Sequence, residues 1–574
     1  MGTTQRETAH WLDRYATAYH AWTQSTDSNG QITFKRPLGL VETSFDIDGC
    51  YYGGRADMTA TLTCEMQHSL SSKEFRRRVS LAWTNLRLRH VLLMSRRYDD
   101  QESGFRGFAI DVPTDLEEAV REVEKSTIWI EEHYSEVDEH DLHDHALNVG
   151  RIIEPEKCMS KLHVLPLRPV PGGTYQLHFL IIMAHQISDG LSAYNWFKDF
   201  IRILNLPAPA IEDEIETALH PSTLREKLPP AQEDLYPSIL GNRARQRWIW
   251  AIIRVLRHVK KTLPPTFPNP LYRSTRLTQP LALQPAYSKL FSYKGDSLPP
   301  LSTGHMSVAL SPTASARLIA LCRSAKVSIG SGCFALAGLA MMSIHSSRYP
   351  HILPSSTPAM TASFPLNPRA FFANPPAADS CMLAFSDGIV MPFLSPTLPI
   401  EKRFRLVSKT ANRELRVYQK RLKTTDKGEV SASLDKHSPA RLLATGHLSQ
   451  IERVESKLPA GRQLGFGNPQ CALQASVGFG ATCGVSSVGS LKGYFRHGEY
   501  DLKDEESDFV VDYRGLRMGV RARDGEFLVG SSTDSEGRVG FGVSYDMNAI
   551  DRDSAELWAS TITSLLEQSG ASKL

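Results

Sequence analysis

A short polar segment between an apolar run and an amphipathic run most constrains the fold. Residues 174–184, TYQLHFLIIMA, are typical of a buried strand, and residues 191–204, LSAYNWFKDFIRIL, place apolar side chains at helical spacing. The segment HQISDG, residues 185–190, lies between them. A rigid element end that exposes a loop side chain favours reactive groups. His185 therefore fits a general base, and the alternative is a buried histidine that backbone carbonyls satisfy.

Both halves of the 574-residue chain alternate strands with helices. Residues 72–89 predict a helix in the first half, and the second half contains a helix rich in small residues at 330–340. Prolines are dense between the halves. We therefore predict an α/β fold of two lobes. The predicted divisions are an N-terminal lobe (1–205), a proline-rich crossover with a basic helix (206–300), a C-terminal lobe (301–570) and a targeting tail (571–574).

Composition excludes several functional classes. The formal net charge is +3, from 65 basic and 62 acidic residues, which argues against nucleic acid as a partner. The eight cysteines are scattered without a CxxC pair, a pattern typical of free thiols in a reducing compartment. There is no run of 18 apolar residues, so we expect no membrane-spanning segment.

Two further segments leave alternatives open. Residues 131–145, EEHYSEVDEHDLHDH, are rich in histidine, but their spacing fits no metal motif, and we predict a solvated loop without metal. The basic segment 243–261 predicts an amphipathic helix. We favour packing of this helix against a lobe, and peripheral contact with a membrane is the alternative.

The last three residues, Ser572, Lys573 and Leu574, form the tripeptide SKL. At a free C-terminus this tripeptide is read by the peroxisomal import receptor. We therefore predict a peroxisomal location.

The segment HQISDG matches the pattern HxxxDG and resembles the signature of the CoA-dependent acyltransferase superfamily. That superfamily includes chloramphenicol acetyltransferase, plant HxxxD acyltransferases, fungal O-acetyltransferases and condensation domains. SFPLNPRAFF, with Asn367 and Arg369, resembles the N-x-R segment of the family. Residues 486–489, SSVG, resemble a strand segment of condensation domains that reads S-N-x-G. The resemblance implies two chloramphenicol-acetyltransferase-like lobes, each a mixed sheet with helices, with an active-site tunnel at their interface.

The resemblance also implies roles for individual residues. His185 takes a proton from the acceptor and returns it to the leaving thiolate, without a covalent intermediate. Asp189 forms an ion pair with Arg369, and Asn367 supports it. Gly190 lets the backbone turn tightly into the following helix. Ser486 or Ser487 donates to the oxyanion.

Two departures from the family patterns narrow the function. The D-F-G-W-G motif of the plant enzymes is absent, and residues 512–515 are a poor match. Ala184 stands where condensation domains carry a second histidine, which disfavours an amide former that uses a carrier protein. With the SKL tail, the resemblance is closest to fungal peroxisomal acyltransferases of mannosylerythritol lipid biosynthesis.

The resulting functional prediction is an acyl-CoA-dependent O-acyltransferase. It moves a short- or medium-chain fatty acyl group to a hydroxyl of a glycolipid or a secondary metabolite. Acyl-CoA is a co-substrate, no cofactor is bound, and the protein is a monomer. The alternatives are a trichothecene-type O-acetyltransferase, a condensation-like amide-forming enzyme and a catalytically silent binding protein.

Overall fold

The fold is that of a computed structural model. It describes residues 14–100, 106–239, 241–259, 265–294, 301–372, 374–386, 388–418, 438–459, 461–462 and 481–567. The predicted tail, residues 571–574, lies outside these ranges.

A large mixed sheet forms the centre of the first lobe. Its strand order is β16-β3-β9-β7-β6, with β8 paired to β9, and β6 and β7 are parallel. The predicted strand at 174–184 is β9, which is buried along most of its length because helices cover the sheet. The strands of this sheet are β3 (Met58–His68), β6 (Thr127–Trp129), β7 (Ser160–Val164), β8 (Arg168–Pro169), β9 (Tyr175–Met183) and β16 (Phe509–Val520).

Helices and a smaller sheet complete the first lobe. The predicted helix at 72–89 is present with those bounds, and Ser71 begins it with a capping box to Glu74. The smaller antiparallel sheet has the order β1-β2-β5-β4. Its strands are β1 (Thr23–Thr26), β2 (Ile32–Pro37), β4 (Arg96–Asp99) and β5 (Arg106–Asp111). The helices are α1 (Leu40–Tyr51), α2 (Ser72–Arg89), α3 (Leu116–Glu124), α4 (Glu139–Ala146) and α5 (Gly190–Leu204).

A second mixed sheet forms the centre of the other lobe. Its order is β10-β18-β17-β15-β11-β14, in which β15 is parallel to both β11 and β17. Two short strands, β12 and β13, pair separately. The strands are β10 (Thr303–Ala309), β11 (Met360–Ser363), β12 (Pro365–Leu366), β13 (Ala384–Phe385), β14 (Ile389–Met391), β15 (Cys483–Ser490), β17 (Phe527–Thr533) and β18 (Val539–Asp546).

The helices of the second half include one buried apolar helix, α10. It is long and apolar enough to cross a membrane, but 78% of its most apolar window is buried in the second core, as in a core helix of a globular domain. Glycines and alanines along α10 allow this close packing. The helices are α9 (Pro312–Ala325), α10 (Ile329–Arg348), α11 (Ile400–Val417), α12 (Pro439–Lys457) and α13 (Arg552–Ser564).

One strand crosses between the lobes. β16 belongs to the second half of the chain but pairs with β3 along its whole length, from Phe509 opposite His68 to Val520 opposite Met58. The predicted lobe of residues 301–570 therefore contributes a strand to the sheet of the first lobe. Local sequence did not indicate this exchange, because strand pairing depends on partners distant in sequence.

In the described part of the proline-rich segment between the lobes, the helices are α6 (Ala208–Ala218), α7 (Pro221–Lys227) and α8 (Arg243–Val259). The predicted basic helix is α8. Ile249, Trp250 and Ile253 of α8 are buried in a cluster with residues of α1 and α12. The buried apolar face of α8 therefore packs against the lobes, in agreement with the favoured interpretation of this helix.

The histidine-rich segment differs from the prediction. Residues 139–146 form helix α4, and Asp138 caps it by accepting hydrogen bonds from two backbone N–H groups. His143 and His145 are buried. The acidic composition led to the wrong prediction of a solvated loop, since it does not show that His143 is buried with its Nδ1 beside the Thr61 hydroxyl of β3.

Candidate active site

His185 lies where β9 ends and α5 is about to begin. Its side chain is half-buried and meets residues of both halves of the chain. Nδ1 of His185 is 4.0 Å from Sγ of Cys381, in the second half. The ring of Phe45, in α1, stacks on one face of the imidazole. The histidine therefore lies at the junction of the two lobes, where the predicted tunnel would run.

Asp189 is the N-cap of α5, and both of its carboxylate oxygens are occupied. Oδ1 accepts hydrogen bonds from the backbone N–H of Leu191 at 3.0 Å and of Ser192 at 2.9 Å. Oδ2 accepts from Arg369 Nη2 at 2.9 Å and from the backbone N–H of Met382 at 3.0 Å. The carboxylate thus fixes the end of the His185 loop to the second half, and it serves as a brace rather than a partner of the imidazole.

Arg369 and Asn367 complete this brace. Arg369 is 5% exposed, and its Nη2 also donates to the carbonyl of Ser380 at 2.6 Å. Asn367 caps the short 3₁₀-helix Pro368–Phe371, because its Oδ1 accepts from the backbone N–H of Arg369 at 3.0 Å and from Nη1 at 3.2 Å. The structure therefore brings Asp189, Arg369 and Asn367 together as the family resemblance implied.

Phe45 is a site residue that the sequence analysis missed. Its ring centroid is 3.9 Å from that of His185, and the two planes are within 3° of parallel. Such stacking restricts the rotation of the imidazole and excludes water from one of its faces. Phe45 lies in the first 45 residues, where the sequence pattern is mixed and gave no signal for a site.

An ionic cluster holds helix α1 beside His185. Asp48, one turn after Phe45, accepts from Arg523 Nη2 at 2.8 Å and from Lys457 Nζ at 2.7 Å. Arg523 follows β16, and its guanidinium carbon is 5.6 Å from the centroid of the Phe45 ring. Although burial alone would raise the pKa of Asp48, the charges of Arg523 and Lys457 lower it below the usual range. The carboxylate therefore stays ionised and anchors α1.

The surroundings of His185 favour its neutral form. Burial lowers the pKa of His185 below its usual value, and the positive charge of Arg523 adds to this effect. A neutral imidazole at pH 7 can accept a proton. Burial raises the pKa of the neighbouring Cys381 thiol well above its usual value, so that this cysteine is protonated and a poor nucleophile. His185 is therefore better suited than Cys381 to begin a proton transfer.

Gly190 has a different role from the one expected. It is the first residue of α5, and its φ is not in the left-handed region that favours glycine. A Cβ on Gly190 would lie 3.8 Å from Cγ1 of Val488 in β15, which is an ordinary contact. Gly190 thus lies at a contact between α5 and the second sheet. The backbone conformation at this position does not require a glycine.

Ser486 and Ser487 lie on opposite faces of β15, since side chains alternate along a strand. The hydroxyl of Ser487 is 3.2 Å from the position of a Cβ on Gly330, so it packs against α10. Val488, which approaches Gly190, lies at a register shift between Ser487 and Gly489, whereas Ser486 is in the regularly paired part of the strand. Of the two serines, Ser486 is therefore the better candidate donor to an oxyanion.

Ser572, Lys573 and Leu574 lie outside the described residues. Within the described ranges, no group of three or more His, Cys, Asp or Glu side chains has the geometry of a metal site.

The two-lobe α/β architecture is the fold found in an O-acetyltransferase and in domains of peptide and polyketide synthetases. The trichothecene 15-O-acetyltransferase TRI3 from Fusarium sporotrichioides superposes with a TM-score of 0.62 and 12% identity, over 96% of this chain and 97% of that chain. The condensation domain of the monacolin K polyketide synthase MokA gives a TM-score of 0.50 and 11% identity, over 93% and 96%. The predicted fold class is thereby confirmed.

A third similar structure shows that this fold is used for more than one reaction. The epimerization domain of tyrocidine synthetase B superposes with a TM-score of 0.51 and 11% identity, over 96% of this chain and 98% of that chain. No family model and no curated protein sequence matches the chain. At these identities the comparisons establish the fold, and the function must be argued from the site.

Proposed function

We propose that the protein is an O-acyltransferase that moves an acyl group from a CoA thioester to a hydroxyl of a small molecule. The observation that carries this proposal is the neutral, half-buried His185 at the lobe junction, fixed by the Asp189–Arg369 brace. The proposal also draws support from the likeness in fold to an O-acetyltransferase.

The residues of the site suit direct transfer. Nδ1 of His185 lies towards Cys381, so Nε2 is the nitrogen that receives the proton of the acceptor hydroxyl. The acceptor oxygen attacks the thioester carbonyl carbon and forms a tetrahedral oxyanion, to which Ser486 donates. When the C–S bond breaks, the imidazolium returns the proton to the thiolate. The products are an ester and a free thiol.

Two classes of molecule are candidates for the acceptor of the acyl group. The likeness in fold to a trichothecene acetyltransferase favours a hydroxyl of a secondary metabolite. The glycolipid acceptor, as in mannosylerythritol lipid biosynthesis, rests instead on the SKL tripeptide, because peroxisomes contain acyl-CoAs shortened by β-oxidation. Mass spectrometry of lipids and metabolites from cells that lack the protein separates the two classes.

We also propose import into peroxisomes through Ser572, Lys573 and Leu574. Removal of Leu574 is expected to leave a tagged protein in the cytosol, and unchanged punctate fluorescence would contradict the proposal.

The outer face of α8 supports peripheral contact with a membrane. Trp248 is 66% exposed and Val255 is 60% exposed, while Arg243, Arg245 and Arg247 beside them are also exposed. Flotation with anionic vesicles tests this proposal, and Trp248→Ala is expected to weaken the association.

The central test is the release of free thiol from acyl-CoAs of graded chain length in the presence of alcohol acceptors. His185→Ala is expected to lower kcat about 10²–10⁴-fold, the usual contribution of a general base. Its unfolding curve should stay close to that of the wild type. His133→Ala, which removes an exposed histidine, is the matched control and should keep full activity. Full activity in His185→Ala would remove His185 as the base.

A further inference from the structure

A basic groove lies on the second lobe, outside the catalytic junction. Its volume is about 500 Å³, and it is formed by the end of α9, the loop that follows and the last turns of α11. Four of its lining residues are cations and none is a carboxylate. The lining residues are Ala325, Lys326, Val327, Lys409, Asn412, Arg413, Arg416 and Val417.

The cations of this groove have few partners. All four are exposed. Arg413 Nε makes an ion pair at 3.2 Å with the neighbouring Glu414. Within the described ranges, Lys326, Lys409 and Arg416 form no ion pair. Like charges held this close together repel one another, so a polyanion that enters the groove is attracted by all of them.

The groove is joined to the candidate site through the first turn of α10. Asn412, in its wall, accepts a hydrogen bond from the Ser331 hydroxyl at 3.1 Å. Gly330, in the same turn, contacts Ser487 of β15. The next residue, Val488, approaches Gly190, which follows the His185 loop. A contiguous set of contacts thus runs from the groove past β15 to the catalytic junction.

We propose that this groove binds the nucleotide end of the CoA donor. The inference rests on the proposed acyl-CoA-dependent function and adds the location at which the donor binds. The cations match the diphosphate and the 3′-phosphate of CoA. The apolar side chains of Ala325, Val327 and Val417 offer a surface to the adenine ring. A concave site of this volume suits a nucleotide, whereas a carrier protein needs a broader interface.

Three donors with the same acyl group test the inference: acyl-CoA, acyl-3′-dephospho-CoA and acyl-pantetheine. The double variant Lys409→Ala/Arg416→Ala removes two exposed cations of the groove and leaves the catalytic junction unchanged. We expect its KM for acyl-CoA to rise at least tenfold, since charge-assisted contacts to phosphate are lost. Its kcat/KM for acyl-pantetheine should match that of the wild type. Lys73→Ala, an exposed lysine of α2, is the control and should change neither value.

Several results would overturn the inference. One is an equal loss with acyl-CoA and acyl-pantetheine, and another is no loss with either donor. A third result combines two observations: acyl-CoA is used no better than acyl-pantetheine, and transfer from an acyl carrier protein depends on Lys409 and Arg416. This result would also overturn the inference. Calorimetric titration with free CoA keeps the test independent of turnover. If the wild type transfers no acyl group, the proposed function fails, but tighter CoA binding by the wild type than by the double variant would still support the groove.

Discussion

The two lobes meet at two histidine-containing junctions that differ in one respect. At the first, His185 is half-buried against Phe45 and Cys381. At the second, His143 of α4 and His305 of β10 are buried, and their ring centroids are 5.4 Å apart. Burial lowers the pKa at both junctions, and for His305 it reaches about 3. The histidines at both junctions therefore favour the neutral form. The junctions differ in the accessibility of the imidazole.

Close packing explains why the second junction is structural. Nδ1 of His143 is 2.9 Å from the Thr61 hydroxyl, and Nδ1 of His305 is 3.2 Å from the Ser544 hydroxyl. A Cβ on Gly519 of β16 would lie only 2.6 Å from the His305 ring, so the two sheets approach closely there. No substrate can reach an imidazole in such packing. A neutral histidine thus becomes a candidate base only where the lobes leave one of its nitrogens accessible.

The largest expected effect on the first junction comes from its brace. Asp189→Asn removes the charge that pairs with the buried Arg369 and leaves that guanidinium without its counter-ion. We expect the free energy of unfolding to fall by about 3–5 kcal/mol, as for other broken buried ion pairs. Chemical denaturation measures this loss. A change below about 1 kcal/mol, as for an exposed pair, would contradict a bracing role.

Acid should act in part through the second junction. The unfolded chain binds protons at histidine from about pH 6.5 downwards, whereas folded His305 stays neutral to a pKa of about 3. The unfolded state then binds more protons than the folded state, so stability falls as the pH drops through this interval. The expected loss is about 1.4 kcal/mol per pH unit for each such histidine. Arg517, which pairs with Asp144 and lies beside His140, also faces this junction, and its positive charge adds to burial in lowering the pKa of His305.

His305→Asn provides the test of this assignment. Removal of one titrating group should make the free energy of unfolding depend less steeply on pH between 6.5 and 4, as measured by urea denaturation at several pH values. His133→Ala should keep the wild-type slope, since His133 is exposed. Equal slopes in the wild type and His305→Asn would show that His305 is not held neutral.

A smaller effect is expected from Phe45→Leu. The variant loses the stacking contact, worth about 0.5–1.5 kcal/mol, and admits water to the imidazole. We expect kcat to fall about tenfold or less, with little change in KM. Phe75→Leu is the matched control, because Phe75 is buried to a similar degree in α2, away from His185. Similar losses of kcat in both variants would indicate general destabilisation rather than positioning of His185.

The features that the sequence predicted are those with a local signal. The periodicity of α2, the apolar run of β9 and the polar loop between β9 and α5 follow from spacing within a few turns. The partnership of Asp189 with Arg369 came from a family resemblance, because spacing cannot reveal a contact across 180 residues.

The features that were missed depend on distant partners. The crossing of β16 into the first sheet requires β3 at its side. Phe45 and Arg523 acquire a role only when α1 and the end of β16 meet beside His185. The burial of His143 depends on a threonine in β3 that composition cannot identify. In each case tertiary packing creates the feature, and local secondary-structure propensity does not indicate it.

The pH dependence of kcat/KM for thioester transfer tests the central claim most directly, since it reports the ionisation of the free base. We expect an acid-side ionisation with a pKa below the usual value for histidine, because burial holds His185 neutral. This pKa should rise in Phe45→Leu and stay unchanged in His305→Asn. An ionisation that moves with His305 and not with Phe45, or one that persists in His185→Ala, would contradict the claim that His185 is the base.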